Sequence, residues 1–267
     1  MLITFIGGGN MAGAIISGLV RTGGHRLAVV EPNADKCAEL VARFGVEAGG
    51  ELPARFGPDQ IVVLAVKPQQ LKEVCLALAG RLDGALVISI AAGIRYQALA
   101  RWLGSERIVR VMPNTPALVG RGVSGVFAPD TLAASDIEAA QTVMRSVGSV
   151  QRLAQESGID DITAVSGSGP AYVFYFIESM IEAARDVGFD AATARELVLS
   201  TFEGAAALAR DSDLDVAQLR QNVMSKGGTT ERAILRFEEE GVKQAIVAGA
   251  MDCRARSVEL GQQLSQD

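Results

Sequence analysis

The chain has 267 residues, 49% of them hydrophobic, and a formal net charge of -6. That is enough apolar material for a large core, in one big domain or two smaller ones. The acidic balance argues against nucleic acid, which needs clustered Lys and Arg, and apolar runs such as 61–66 fall far short of the roughly twenty residues that span a bilayer.

Residues 2–6 form an apolar strand that runs into Gly7-Gly8-Gly9-Asn10-Met11-Ala12-Gly13. A helix follows, with Ile15, Ile16, Leu19 and Val20 on its apolar side. Strand, glycine turn and helix together make the G-x-G-x-x-A form of the dinucleotide fingerprint. Gly7 permits the tight turn, Gly9 lets a pyrophosphate approach the backbone, and Ala12 lets helix and strand pack closely. The free N–H groups and positive dipole end of the helix then face the phosphates.

The pattern next predicts a strand at 26–31, a helix at 35–44 ended by Gly45, and a continuous apolar strand at 61–66. Further strands are expected at 86–91, 108–112 and 123–128, then a helix over 134–146 and a strand near 150–153. Such a βαβ succession means a doubly wound sheet with helices on both faces. After about Glu156 the texture becomes helical: 159–187, then from an Asp190 cap to about 210, 215–224, 230–240 and 242–263. The stretch 171–181 is apolar on every side, so it must be covered all round, and a second subunit is a source of that cover. The domains are accordingly 1–156, a dinucleotide-binding Rossmann-type domain, and 157–267, an all-α domain.

Glu31 stands where an acidic residue bonds ribose hydroxyls and disfavours a 2′-phosphate. Yet Asn33, Lys36 and the N–H groups of the following helix could hold a phosphate, so NADH and NADPH both stay open. Val66-Lys67-Pro68 lies at the carboxyl end of a strand, where ligands of open α/β sheets bind. Ala92 and Gly93 follow the next strand and leave room for a nicotinamide ring. Asn114, held between Pro113 and Pro116, is aimed by a rigid loop; a structural turn explains the prolines equally well.

Chemistry is limited by what is missing. The one histidine, His25, sits in a turn remote from the strands' carboxyl ends, and Cys37, Cys75 and Cys253 form no metal pattern. No metal site is expected, and the position of His25 argues against histidine-based or triad catalysis. The substrate must carry its own proton, as a protonated imine does. Ser225-Lys226-Gly227-Gly228-Thr229-Thr230 opens a helix and suits a small carboxylate, although Thr229 and Thr230 also suit an N-cap. The cysteine usage and the absence of a basic leader point to a reduced, cytoplasmic protein.

Five motifs occur together and in order: Gly7-Gly8-Gly9-Asn10-Met11, Ala65-Val66-Lys67-Pro68, Arg110-Val111-Met112-Pro113-Asn114-Thr115-Pro116, Ser166-Gly167-Ser168-Gly169-Pro170-Ala171-Tyr172 and Ser225-Lys226-Gly227-Gly228-Thr229-Thr230. Over essentially the whole chain this set resembles pyrroline-5-carboxylate reductase, the last enzyme of proline biosynthesis. The resemblance implies a Rossmann domain and a helical domain that interlocks with its twin as a dimer; some family members build decamers. It implies NADPH or NADH along Gly7, Gly8, Gly9, Asn10, Met11, Glu31, Asn33, Val66, Lys67, Pro68 and Ala92. It also implies that Gly228, Thr229 and Thr230 take the substrate carboxylate, with the Thr230 hydroxyl on the ring nitrogen. Asn114 and the 166–170 turn would border nicotinamide and substrate, and hydride would pass to C5 of the cyclic imine to give L-proline.

Two rivals are weaker. A β-hydroxyacid dehydrogenase would need a lysine in the long interdomain helix, and 167–184 has none. A non-enzymatic dinucleotide sensor would not need the 225–230 loop.

Overall fold

The computed structural model describes residues 1–266. An eight-stranded sheet is built from β1 (Leu2–Ile6), β2 (Arg26–Val30), β3 (Glu47–Gly49), β4 (Gln60–Leu64), β5 (Leu86–Ser89), β6 (Ile108–Met112), β7 (Gly122–Phe127) and β8 (Gly148–Arg152). Its order is β3-β2-β1-β4-β5-β6-β7-β8. The chain steps outward from β1 to β3, then returns to the other side of β1 for β4. That reversal leaves a crevice at the carboxyl ends of β1 and β4, the place where open α/β sheets bind ligands.

Helices α1 (Asn10–Thr22), α2 (Ala34–Phe44), α3 (Pro68–Leu78), α4 (Tyr96–Leu103) and α5 (Ala134–Arg145) connect these strands. Alternate strand residues feed two cores. Ile3, Phe5, Ile61, Val63, Ile88 and Val109 pack with α1 and α5, while Val62, Leu64, Val87 and Ile108 pack with α3 and α4. Residues 61–64 are buried on both faces, as a continuous apolar run in a parallel sheet requires.

Within the sheet and its flanking helices three expectations change. β7 runs antiparallel to β6, because the nine-residue link 113–121 holds only a 3-10 turn and is too short for the crossover a parallel pair needs. β3 was not expected; its Glu-Ala-Gly sequence carries no strand pattern, and it pairs only at the sheet edge. Val20 was expected on the apolar side of α1, and it is 46% exposed instead.

Among the described residues, 1–168 and 253–266 cluster as one compact unit and 169–252 as another, the boundary falling inside the last helix. The first unit contains α6 (Gly158–Ile162) and a π-helical turn, Thr163–Gly167. The expected single helix over 159–187 is therefore interrupted where Gly167, Gly169 and Pro170 stand. The end of α11 (Val242–Leu264) packs back on this unit: Leu264 joins the core of α3 and α4, and the Arg95 N–H donates to Ser265 Oγ at 2.9 Å.

The second unit is made of α7 (Gly169–Asp186), α8 (Ala191–Asp211), α9 (Val216–Asn222), α10 (Thr229–Glu239) and the start of α11. Asp190 caps α8 by accepting the Ala192 and Thr193 N–H groups, and Asp215 caps α9. Among its described hydrophobic residues only Ala194 and Val198 are buried. On α7, Phe174 is 63% and Tyr175 69% exposed, and an apolar groove of about 590 Å3 runs between Tyr172, Tyr175, Phe176 and Val242, Ala245, Ile246. So much uncovered aromatic surface marks an interaction face.

Candidate active site

β1 delivers the chain into Gly7, whose φ of +100° only glycine adopts without strain. A Cβ there would lie 2.9 Å from the Ala65 carbonyl oxygen, so the turn and the end of β4 can touch only because none exists. Gly7 N–H donates to the Val30 carbonyl, tying the turn to β2. Gly9 is the N-cap of α1 with no side-chain cap, and a Cβ on it would meet nothing within 4 Å. Above it the first N–H groups of α1 face open space without intrahelical partners. This cradle fits a dinucleotide pyrophosphate.

A cavity of about 530 Å3 lies beside the cradle, and Gly7, Gly8, Gly9, Glu31, Val66 and Lys67 all line it. Gln70, Glu73, Val74 and Ala77 complete its wall from one face of α3, at helical spacing. No sequence motif marks these four; their local signal is a helix opening at Lys67-Pro68, with Lys67 as N-cap and Pro68 at its first position. Asn10 lines a smaller cavity of about 160 Å3 with Lys36 and Arg43. Met11 packs on the core of α1 instead.

Glu31 is 8% exposed, and both its oxygens are used. The Gly8 N–H donates to Oε2 at 2.9 Å and the Asn33 N–H to Oε1 at 3.1 Å. The Asn33 side chain accepts the Lys36 N–H and so caps α2. Ala92 is exposed after β5, whereas Gly93 (φ +75°) faces α11, its absent Cβ 3.2 Å from Leu264 Cδ1.

Asn114 is 6% exposed and its amide is a bridge. Nδ2–H donates to the Ser166 carbonyl at 2.9 Å, and Oδ1 accepts the Val123 N–H at 2.8 Å. The helical partner of the Ser166 carbonyl, four residues on, is Pro170, which has no N–H. Asn114 supplies the missing donor and pins the π-helical turn, an element often found at functional sites. The Ser166 hydroxyl is buried without a partner among the described residues. Asn114→Ala should cost about 2–3 kcal/mol, because a buried carbonyl and N–H lose their partners together. Urea unfolding of the two proteins checks this, and an unchanged midpoint would rule out the bridge.

Next to this turn lies a buried ionic network. Arg110, 3% exposed in the middle of β6, donates to Glu156 Oε1 at 2.5 Å, and the Tyr96 N–H donates to the same oxygen. Burial pushes the Arg110 guanidinium below its ordinary pKa, against the opposing pull of Glu156. Arg95 pairs with Asp160 at 2.8 Å, and Asp160 also accepts the Ser257 hydroxyl of α11. His25 lies far along the sequence from all these groups; burial, then the N-terminal charge, lower its pKa.

In the helical unit, the loop before α10 has its own geometry. Gly227 is left-handed (φ +73°) and its N–H donates to Glu231 Oε2 at 2.6 Å. The Gly228 N–H donates to the Ser225 carbonyl, and a Cβ on Gly228 would collide with Ser225. Gly228 is the N-cap of α10, without a side-chain bond. Thr229 and Thr230, weighed as N-caps, are therefore the first two helical residues, and their hydroxyls make no hydrogen bond among the described residues. Glu231 reaches back to this turn from the third helical position, a spacing visible in the sequence as half of a capping box. Among the described residues no group of His, Cys, Asp and Glu could hold a metal ion.

A family model described as pyrroline-5-carboxylate reductase dimerisation matches residues 156–260. Another, described as NADP oxidoreductase, coenzyme F420-dependent, matches residues 2–93. The chain is 41% identical to the pyrroline-5-carboxylate reductase of Pseudomonas aeruginosa, across 99% of this chain and 98% of the relative. The solved pyrroline-5-carboxylate reductase of Coxiella burnetii is 40% identical with a TM-score of 0.88, covering 97% of each chain. The Plasmodium falciparum enzyme, solved with NADP bound, is 29% identical with a TM-score of 0.86, covering 98% of each.

Proposed function

The chain belongs to the pyrroline-5-carboxylate reductase family, and from that premise we propose how its own residues carry the reaction. The activity is NAD(P)H-dependent reduction of pyrroline-5-carboxylate in proline biosynthesis. Residues 156–260 match a dimerisation domain, so the chain is a homodimer.

Gly7, Gly8, Gly9, Asn10 and Met11 take the pyrophosphate at the start of α1, and Glu31 and Asn33 take the adenosine ribose. Val66, Lys67 and Pro68 flank the middle of the dinucleotide, and Ala92 and Gly93 border its nicotinamide end. What supports this reading is the open cradle at Gly9 beside a cavity that six of these residues line. Bound NAD(P)H supplies the electron pair and the hydrogen that the imine carbon takes up. Ser225, Gly227 and Gly228 shape a turn from which Thr229 and Thr230 present N–H groups to the substrate carboxylate. The Thr230 hydroxyl holds the proton at the ring nitrogen. Asn114 borders the same chemistry through the Ser166 turn that it pins. Catalysis then consists of positioning and of stabilising charge on nitrogen, with no metal.

Residues 1–156 serve the dinucleotide, and 157–267 serve substrate and assembly. Dimers gather into a decamer, and the protein works in the cytoplasm with Cys37, Cys75 and Cys253 as free thiols. Among the described residues no helix is long and apolar enough to cross a membrane.

The test is loss of NADPH or NADH absorbance with 1-pyrroline-5-carboxylate and purified protein, repeated with variants of 225–230 and of the glycine turn. Substrate-dependent oxidation that each set of variants impairs supports the assignment. Full activity in both sets would overturn it. Light scattering separates dimer from decamer.

A further inference from the structure

The loop 90–95 leads from β5 into α4 and carries Ala92 and Gly93, the residues assigned to the nicotinamide end. Its near end is tied to β4 by the Ile90 N–H, which donates to the Leu64 carbonyl at 3.2 Å. Ile94 anchors its inner side in the core of α3 and α4. Ala92 itself is exposed, and Gly93 turns left-handed beside it (φ +75°). The far end of the loop meets the end of α11.

Leu260, Gly261 and Leu264 lie on one face of α11, with Ser265 just past its last residue. A Cβ on Gly93 would lie 3.2 Å from Leu264 Cδ1 and 3.7 Å from Leu260 Cβ, so loop and helix are closely packed. The Arg95 guanidinium lies over Gly261, where a Cβ would come within 2.7 Å of Nε. From there it reaches Asp160, whose other oxygen accepts the Ser257 hydroxyl at 2.7 Å. Ser265 completes the contact by accepting the Arg95 N–H at 2.9 Å.

α4 depends on these outside acceptors. The first N–H groups of a helix have no partner within it, and the N-cap residue Arg95 supplies no side-chain cap. Ser265 and Glu156 take the Arg95 and Tyr96 N–H groups instead, from 170 and 60 positions away. The start of α4, and with it the end of the loop, is therefore set by distant side chains.

We propose that the end of α11 is the template for the loop that borders the nicotinamide, and that Ser265 is a positioning residue for hydride transfer. It acts through Arg95 and Gly93, which hold Ala92 where the ring must lie. The proposal rests on the cofactor placement given above. A misplacement of about 1 Å can cost about 10² in rate, so the effect belongs to kcat and not to binding of the adenosine half.

Ser265→Ala removes the acceptor and Ser265→Thr keeps it, and both are compared with the parent as full-length proteins. With saturating 1-pyrroline-5-carboxylate and NADPH or NADH, Ser265→Ala should lower kcat at least about threefold, while Ser265→Thr keeps the parent rate. Calorimetric titration with ADP-ribose and 2′-phospho-ADP-ribose, which lack the nicotinamide ring, reads the cradle alone. Affinity and stoichiometry per chain should match the parent in both variants. A parental kcat in Ser265→Ala would overturn the proposal. So would a loss of kcat matched by a loss of binding stoichiometry, which marks unfolded protein, or an equal loss of kcat in Ser265→Thr. If the parent binds neither ring-less probe, the cofactor placement itself falls, and the proposal with it.

Discussion

Thr230→Ala lowers kcat about a hundredfold and leaves KM and stability close to those of the parent protein. The magnitude is that of losing one positioned group that holds the proton at the reacting centre, about 10²–10⁴ in rate. The split between kcat and KM follows from the geometry of the loop. Alanine keeps the backbone N–H at position 230, so the proposed carboxylate contact survives and binding changes little. The hydroxyl is free of structural duty, because Gly228 rather than a threonine caps α10. Its loss should cost no more than about 0.5 kcal/mol of stability, as for surface changes away from special features. Thr230→Ser retains the hydroxyl and should restore most of the rate. Steady-state kinetics on the three proteins decide the matter: an unchanged kcat in the alanine variant would end the role assigned to Thr230.

Arg110→Ala has the largest effect expected on the fold, about 3–5 kcal/mol. The side chain is almost fully buried, and its removal leaves Glu156 with the Tyr96 N–H as its remaining partner beside a cavity. The loss comes mainly from an uncompensated charge, so a double change tells it apart from lost volume. Arg110→Met with Glu156→Gln keeps a similar volume and an acceptor for Tyr96 while removing both charges. It should recover to within about 1.5 kcal/mol of the parent protein, since apolar replacements of buried pairs are often near neutral. Guanidinium unfolding measures all three. A single variant as stable as the parent would mean that the network contributes nothing.

The sequence was most legible where the governing interactions are local. The Leu2–Ile6 strand, the glycine turn and α1 need only period, turn chemistry and capping, and all three stand where expected. Gly45 ends α2 in the left-handed conformation, and Asp190 caps α8, for the same reason. The reversal at β7 depends on how far a nine-residue link can reach, and β3 on pairing beside β2; neither has a local signature. Side-chain duties were harder still. Asn114 was conspicuous between its prolines, but its partners lie nine and fifty-two positions away, and only the fold shows that both amide ends are used. At 228–230 the sequence allowed a threonine cap, while the backbone chose glycine because Gly227 turns left-handed just before it.

The return of α11 to the first unit carries a consequence for the order of synthesis. Arg95 gives its N–H to Ser265, a bond across 170 positions, and Leu264 seals the core that α3 and α4 began. A ribosome adding about 5–20 residues per second makes every strand of the sheet, through β8, on the order of ten seconds before those residues emerge. Until they emerge, the seam along α4 lacks the cover that Leu264 gives it in the folded chain. A chaperone or a neighbouring nascent chain can occupy that seam until the chain's own later helix arrives to displace it.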